Sequence, residues 1–448
     1  MPINNVASST YRAVSPTPPS SPVKDFSRKT IHGRDLILIN PFCDGGGDHA
    51  LANKIANIAL EEGCRVTIVP ISAKAHEGKI LGHRNIPLSG VDHHISDLRD
   101  PIFIVAPVGI FETEALAKAV SQLCDQYKFP REDIALIEEM DLLTLPEQEL
   151  SHRVSMLQQM GFNTVNAFKL GFGEGAIGYL PVDQGSANNI KNRFEGELVK
   201  LLDSYNLSLA KDSHYHLAYI SSKTMISASQ VFVANSLSDT RSDKKDANFV
   251  MVVRLLNEDV KERLLNGLRE ILTTRTDKKY NFPALYSKVS IAFSNPDTGK
   301  LLPAIEIKGE GQRRVNILFA SNLPQNIFHD FMCLAHSGMA SGDQSLSEFL
   351  SLTGKLPYYD MQPWKEPLTI AIRETAAALG GAELKQQIAN RIVGREAFTG
   401  RIITQYAPNC GQTEQPGLNN ALAELDKQIS TRTADHHIRS LLAARQTE

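Results

Sequence analysis

The sequence lacks the patterns that mark membrane, secreted and zinc-binding proteins. No apolar run approaches the roughly 20 residues that a membrane-spanning helix needs, and the amino terminus has no apolar stretch of the signal-peptide kind. The cysteines are odd in number and form no CxxC pair and no zinc spacing; they are Cys43, Cys64, Cys124, Cys333 and Cys410. We therefore expect no membrane span, no structural disulfide and a reducing compartment such as the cytoplasm.

Charge of either sign is in little excess. The formal net charge is −3 for 448 residues, so nothing favours bulk attraction to nucleic acid or to an anionic membrane. The length exceeds the size at which a single hydrophobic core usually stops growing. We expect two domains and no nucleic-acid partner.

The first expected crossover lacks the dinucleotide-binding pattern, and the chain lacks the common metal-binding motifs. The glycine loop after the first expected strand lacks GxGxxG because its glycines are consecutive, the second expected strand ends in Val69-Pro70 rather than in an acidic residue, and no Walker A motif occurs. These absences disfavour a Rossmann oxidoreductase. No Asp-x-Asp motif and no clustered ligand set offers a divalent cation site, so we predict no metal.

An alternation of strand and helix patterns fills most of the chain. The apolar run Leu36–Ile39 predicts a buried strand, and it is followed by a glycine loop, a helix pattern ended by Gly63 and a second strand over 65–70. This unit is the first crossover of a parallel α/β sheet. A second series of strands begins at about His214, which indicates a second sheet.

The expected organisation follows from this alternation. Residues 1–33, rich in Ser, Thr and Pro, form a disordered tail. Residues 34–212 and 213–375 form two Rossmann-like domains, and residues 376–448 form a helical extension. The predicted fold class is α/β, with two Rossmann-like domains facing a cleft, because ligands bind outside the carboxyl ends of such strands.

Two glycine loops are candidates for contact with an acceptor substrate. The first places Asp44 and Asp48 at a helix entrance, and Gly46 and Gly47 allow a substrate to approach the backbone. Either aspartate could act as a general base, whereas the alternative is a turn with Asp48 as the helix N-cap. The second loop, residues 171–178, offers Glu174 as an acceptor contact, and its alternative is a flexible turn.

The stretch 337–364 is the strongest candidate for an anion site. Small residues over 337–342 predict a loop at the end of a strand, and this loop leads into an amphipathic helix pattern over 345–353, which ends at Gly354. The unpaired N–H groups and the dipole at such a helix start favour negative charge, and Asp343 and Gln344 could contact a ribose or a phosphate. The alternative is an ordinary helix capped by Asp343 or Ser345.

At this point the chain resembles the bacterial protein-arginine rhamnosyltransferases. The resemblance is carried by Gly47-Asp48 after the first strand and by three segments of the second half, which are Phe319-x3-Leu323-Pro324-Gln325-x2-Phe328-x2-Phe331, Gly342-Asp343-Gln344-Ser345 and Lys355-x-Pro357. It implies the GT-B architecture, with a nucleotide-diphosphate sugar on the carboxyl-terminal domain. It also implies inversion at the anomeric carbon without a metal.

The resemblance assigns roles by position. Asp343 stands where the family has a ribose-binding Glu, Gln344 stands where it has Asp, and Ser345 matches its diphosphate-binding Ser. Asp48 matches the aspartate proposed as, or beside, the base. The departures at 343 and 344 leave the donor sugar open.

The predicted function is a glycosyltransferase that uses a nucleotide-diphosphate sugar as co-substrate and needs no other cofactor. Gly342 belongs to the same donor site, where Tyr358 or Phe319 would stack on the base. The acceptor is unassigned, and a protein is one option. The alternatives are a sugar-nucleotide epimerase of the same architecture and a non-catalytic module, such as a secreted effector, that binds nucleotide or protein.

Overall fold

The computed structural model describes most of the chain from Arg34 onward. The described residues are 34–42, 46–72, 78–86, 88, 93–109, 111–144, 149–182, 197–205, 207, 213–254, 256–275, 281–295, 300–395 and 416–443. The expected tail over 1–33 and Asp44 therefore lie outside the described residues.

The first half of the chain forms a sheet of seven strands. The strands are β1 (Leu36–Phe42), β2 (Val66–Ser72), β3 (Lys79–Ile80), β4 (Arg84–Ile86), β5 (Ile102–Val105), β6 (Asp133–Glu138) and β7 (Thr164–Lys169). The order is β3-β2-β1-β5-β6-β7, and β4 also pairs with β2. The neighbours from β2 to β7 run parallel, whereas β3 and β4 run antiparallel to β2.

Apolar runs explain why the central strands of this sheet are buried. Leu36 on β1 lies opposite Val66 on β2 and Ile102 on β5, and all three side chains are buried. Helices cover both faces of the sheet, so alternate residues of β1 belong to different hydrophobic clusters. The helices of this half are α1 (Gly47–Glu61), α2 (Thr113–Tyr127), α3 (Leu150–Gln159) and α4 (Glu197–Ser204).

The second half forms a sheet of eight strands. Its strands are β8 (Ser213–Ile220), β9 (Asp246–Val253), β10 (Lys288–Phe293), β11 (Ile305–Lys308), β12 (Arg314–Ala320), β13 (Ser337–Ala340), β14 (Tyr358–Asp360) and β15 (Ile392–Val393). The order is β11-β10-β12-β9-β8-β13-β14-β15. The pairs are parallel except for the edge strand β11. Its helices are α5 (Met225–Asp239), α6 (Glu258–Leu272), α7 (Gln325–Leu334), α8 (Asp343–Thr353) and α9 (Glu366–Ala389).

The last helices return to the first half of the chain. They are α10 (Pro416–Thr431) and α11 (Asp435–Leu442). Arg439 on α11 pairs with Glu61 and Glu62 at the end of α1, and the hydroxyl of Tyr179 donates to Ser430 O at 2.8 Å. Helix α11 therefore packs on the first domain, while α10 also contacts the second, where Asp426 accepts the N–H of Leu356 at 2.8 Å.

The predicted fold class, two Rossmann-like α/β domains with a helical extension, is confirmed. Two local expectations were wrong. Residues 337–340 form strand β13 and not a loop, because Gly338 lets the ring of Phe349 pack against the strand; a Cβ there would lie 2.0 Å from that ring. Strand β15 also interrupts the region expected to be helical. Among the described helices, none is long and apolar enough to cross a membrane.

Candidate functional site

In each sheet, the first strand is flanked by two strands that the chain reaches through connections running in opposite directions. In the second sheet, β8 has β9 on one side and β13 on the other; in the first sheet, β1 has β2 on one side and β5 on the other. Ligands of such sheets bind in the crevice outside the carboxyl ends of the strands at this point. We call the space after β1 and β5 the first crevice and the space after β8 and β13 the second crevice.

A buried carboxylate shapes the loop that enters the second crevice. Asp360, fully buried at the end of β14, accepts the backbone N–H groups of Ser221 and Ser222 at 3.0 and 2.9 Å and the hydroxyl of Ser222. Burial raises the pKa of Asp360, while these hydrogen bonds oppose the rise. The hydroxyl of Ser221 lies 2.7 Å from that of Ser341, so the loops after β8 and β13 are joined at the crevice.

Gly342 begins helix α8 in a conformation that only glycine adopts readily. Its φ of 83° and ψ of 172° fall in a region that costs other residues about 1–3 kcal/mol. A Cβ built on Gly342 would meet no described atom within 4 Å, so the backbone path and not crowding requires the glycine. The first turn of α8 therefore lies at the second crevice, and its backbone N–H groups point into that crevice.

Ser345 holds this turn from inside. Its hydroxyl accepts the N–H of Ser341 at 3.0 Å and donates to Ser341 O at 2.9 Å. The side chain is buried, and no side chain caps α8, whose N-cap is Gly342. The alternative, a helix capped by Asp343 or Ser345, was therefore wrong. Ser345 instead holds the loop before α8 through its hydrogen bonds to the backbone of Ser341.

The predicted donor residue Asp343 lies in an ion pair between the two halves of the chain. Its Oδ2 lies 2.7 Å from Lys365 Nζ and accepts the N–H of Met140 at 2.9 Å. Lys365 also lies 2.8 Å from Glu139, beyond β6. Burial opposes the charge of Lys365, but the two carboxylates outweigh it and raise the pKa. Asp343 therefore fastens the start of α8 to the carboxyl edge of the first sheet.

Gln344 and the following turn belong to a second polar cluster. Gln344 donates to Glu348 at 2.7 Å, and His329 lies 3.1 Å from the same carboxylate. Lys54 on α1 faces this cluster; burial lowers its pKa to about 8, although Glu348 and Asp343 act in the opposite direction. Helix α1 of the first domain thus packs against the helix that opens the second crevice.

Two aromatic rings predicted to stack on a nucleobase are in the core. Phe319 is fully buried and stacks on Phe293 with ring centroids 5.1 Å apart. Tyr358 is buried beside Phe232, and its hydroxyl donates to Asp239 at 3.2 Å. Because neither ring reaches a surface, we correct their role from base stacking to core packing.

Tyr359 is a site residue that the sequence did not indicate. Its hydroxyl is buried beside the backbone of Gly342. Burial raises its pKa, and the nearby Asp343 and Asp360 raise it further, while the backbone of Gly342 opposes the rise. This polar atom thus lies at the start of α8, next to the second crevice.

Two cations lie in loops at the same edge of the second sheet. Lys223 follows Ser222 after β8, and Arg254 follows β9, with its N–H donating to Ile220 O at 3.2 Å. Both side chains are exposed. Their charges would attract an anion to the second crevice.

Asn40 fills the first crevice. This fully buried amide lies on β1 and donates to Ala106 O beyond β5 and to Asp48 O in α1 at 3.0 and 3.1 Å. Its Oδ1 lies 2.7 Å from Nδ1 of His49. The sequence had not singled out His49; a polar Asn at the end of an apolar strand was the signal that could have done so.

The predicted acceptor residues lie around the first crevice or on a separate turn. Gly46 is the N-cap of α1 and Gly47 its first residue, both exposed, and Asp48 follows in the first turn. Asp48 is therefore not the N-cap. Glu174 is exposed in the turn closed by Gly171 and Gly178, which exchange backbone hydrogen bonds of 2.8 and 3.1 Å.

No cluster suited to a metal ion occurs in the described part of the chain: nowhere in it do three or more His, Cys, Asp or Glu side chains come together as ligands. Cys64, Cys124 and Cys333 are free thiols. The polar groups of both crevices are instead hydrogen-bond donors, carboxylates and single cations.

No protein-family model matches the sequence, and no curated protein matches it. Among solved structures, trehalose-6-phosphate from E. coli bound with UDP-2-fluoro glucose is 8% identical with a TM-score of 0.41, covering 91% of this chain and 97% of that one. A UDP-forming alpha,alpha-trehalose-phosphate synthase from Burkholderia vietnamiensis is 10% identical with a TM-score of 0.39, covering 91% and 95%. An alpha-glucosyltransferase in complex with UDP-glucose and DNA is 10% identical with a TM-score of 0.34, covering 90% and 96%. At such identities and TM-scores, these likenesses say nothing about the ligands or chemistry of this chain.

Proposed function

We propose that the protein transfers a sugar from a nucleotide-diphosphate sugar to an acceptor. The observation that carries the proposal is the second crevice, where Gly342 opens the first turn of α8 at the switch between β8 and β13. Unpaired N–H groups at a helix start bind phosphate groups. Lys223 and Arg254, exposed at the same edge, supply the positive charge that a diphosphate needs.

The proposed reaction is a single displacement with inversion. A lone pair of the acceptor forms a bond to the anomeric carbon, while the bond from that carbon to the diphosphate oxygen breaks and its electron pair leaves with the diphosphate. The acceptor loses one proton to a group of the protein. Helix α8 and the two cations stabilise the charge that develops on the leaving group, so the proposed mechanism needs no metal.

The acceptor would bind at the first crevice. The exposed backbone of Gly46 and Gly47 allows close approach, and Asp48 in the first turn of α1 would orient the acceptor or take up its proton. Asp44 and Glu174 are further candidates for contact with the acceptor. The resemblance to arginine rhamnosyltransferases makes a protein side chain the first acceptor class to test.

The polar contact between the domains supports a site that both of them line. Asp343, at the start of α8, is held by Lys365 and by the N–H of Met140 beyond β6. The start of α8 therefore faces the carboxyl edge of the first sheet, where the first crevice also opens. This arrangement favours transfer between two domains over binding to one of them alone.

A thermal-shift screen with UDP-, GDP-, dTDP- and ADP-sugars tests the proposal, followed by product analysis with the nucleotide that binds. We expect one nucleotide class to stabilise the protein and a free nucleoside diphosphate to appear. A changed sugar on an intact nucleotide would identify an epimerase instead, and binding without turnover would identify a non-catalytic module. The absence of any shift would contradict nucleotide-sugar binding altogether.

A further inference from the structure

The hydrogen bonds of Asn40 fix the proton of the neighbouring histidine. Its Nδ2 lies 3.2, 3.1 and 3.0 Å from the carbonyl oxygens of Pro41, Asp48 and Ala106. Carbonyl oxygens only accept, so the NH2 group must point at them and Oδ1 must point at His49. Because an amide oxygen also only accepts, Nδ1 of His49 must carry the proton in the 2.7 Å contact.

The other ring nitrogen of His49 is therefore the basic one. When Nδ1 carries the only proton of a neutral imidazole, Nε2 has a free lone pair. The side chain is exposed on the first turn of α1, and its ring lies 4.7 Å from that of Phe42. Asn40 and Phe42 thus hold the ring at the mouth of the first crevice with its basic nitrogen directed away from the buried amide.

The charge state of His49 suits a proton acceptor. Partial burial lowers its pKa even though the residue is exposed, and the guanidinium of Arg84 on β4 lowers it further. Asp48 is its neighbour on α1. The neutral form is consequently the main one at neutral pH, which a general base requires.

We propose that Nε2 of His49 is the general base of the transfer, with Asn40 as the residue that positions it. The proposal rests on the function proposed above. As the acceptor attacks the anomeric carbon, its proton passes to Nε2, and the electron pair of the breaking bond leaves with the diphosphate. His49 becomes an imidazolium, whose Nδ1–H still donates a hydrogen bond to Asn40 Oδ1. Asp48 then orients the acceptor rather than taking its proton.

A structural role and a catalytic role of the Asn40–His49 pair lead to different results in variants of His49. Glutamine can still donate to Asn40 Oδ1 but offers no basic nitrogen, so His49→Gln keeps the anchor and removes the base. We expect His49→Gln to bind the sugar nucleotide found in the screen normally, while kcat for transfer, or for hydrolysis with water as acceptor, falls about 10²-fold. Wild-type kcat in His49→Gln, with only His49→Ala impaired, would show an anchoring role and overturn the proposal.

The pH dependence of kcat separates the two roles, because a purely structural His49 would not determine it. Removing the nearby cation in Arg84→Gln should raise the pKa of His49 and shift the acid limb of the kcat profile to higher pH. Arg263→Gln, which removes an exposed cation on α6 of the other domain, should leave that limb in place. The pKa of His49 itself is followed by NMR of its ring protons.

The outcomes separate this proposal from the proposed function. If the NMR titration moves in Arg84→Gln and the kcat profile does not, His49 is not the base, although the protein remains a transferase. If no sugar nucleotide binds the wild type, the proposed function fails and this proposal fails with it.

Discussion

Lys365 joins the two domains at the second crevice, and its removal should be costly. Its side chain is only 3% exposed and contacts Asp343 at 2.7 Å, Glu139 at 2.8 Å and Met140 O at 3.1 Å. Lys365→Met keeps the length and the apolar stem but removes the ammonium. Two carboxylates would then face each other at the interface without a counter-charge.

The expected loss follows from the burial of the three groups. Removing one partner of a buried ion pair costs about 3–5 kcal/mol. The carboxylates of Glu139 and Asp343 are still 20% and 23% exposed, so water can partly solvate them and the lower limit of about 3 kcal/mol applies. For domains of this size, that loss lowers the melting temperature by about 6–12 °C.

The only tryptophan of the chain lies beside this contact. Trp364 is 49% exposed, and its carbonyl accepts the N–H of Leu143 in the other domain at 2.9 Å. Its fluorescence therefore reports separation of the domains during urea or thermal unfolding, while circular dichroism reports loss of the sheets. We expect the fluorescence transition of Lys365→Met to occur earlier than the circular-dichroism transition.

A surface ion pair gives the matched control. Lys385 lies 2.6 Å from Glu374, and the two side chains are 40% and 58% exposed, so Lys385→Met should cost well under about 1 kcal/mol. Adding Asp343→Asn to Lys365→Met should recover part of the loss, because it removes one unpaired carboxylate. Equal stability of Lys365→Met and Lys385→Met would refute the interdomain role assigned to Lys365.

The remaining predictions concern the two crevices and a histidine cluster. Gly342→Ala should weaken nucleotide-sugar binding about 5-fold or more, because alanine is strained by about 1–3 kcal/mol at this φ and ψ and the turn must shift to relieve the strain; unchanged affinity in a titration would remove the α8 turn from the site. Asp48→Asn should keep donor affinity and lower kcat less than His49→Gln does, and the reverse order in steady-state assays would return the base role to Asp48. Transfer should continue in EDTA, and a loss restored by Mg²⁺ or Mn²⁺ would contradict the account of leaving-group stabilisation. Burial and the neighbouring histidines hold the pKa of His216 well below its usual value, so the free energy of unfolding should fall as pH drops below about 6.5; urea titrations at about pH 7.5 and about pH 5.5 should show a smaller fall in His216→Asn, and an equal fall would assign the effect to other groups.

The sequence predicted the central strands well because their apolar runs are specific to buried parallel strands. Leu36–Ile39, in strand β1, is an example. Helix α5 was not predicted, since it is buried on nearly all sides and includes buried Ser229 and Asn235, so it lacks an amphipathic pattern. The sequence predicted a loop at β13 because the strand consists mainly of small residues, which have low strand propensity. One of them, Gly338, is needed for the packing of α8.

The candidate site was less predictable than the fold. A glycine before a helix could be recognised locally, and Gly342 indeed begins α8 at the switch point. The ion pair of Asp343 with Lys365 joins residues that only the domain arrangement brings together, and no spacing rule reveals it. The burial of Phe319 and Tyr358 likewise depends on which face of each strand the helices cover.

Titration calorimetry with the sugar nucleotide identified in the screen tests the central claim most directly. The account places the diphosphate at the start of α8, on the sheet edge that also carries Lys223 and Arg254, so replacing both with Ala should weaken binding at least about 10-fold, or about 1.4 kcal/mol. The exposed Arg263→Ala on α6 serves as the control for loss of positive charge. Equal affinity in the wild type and the double variant, or no binding in either, would contradict a nucleotide-sugar site in the second crevice.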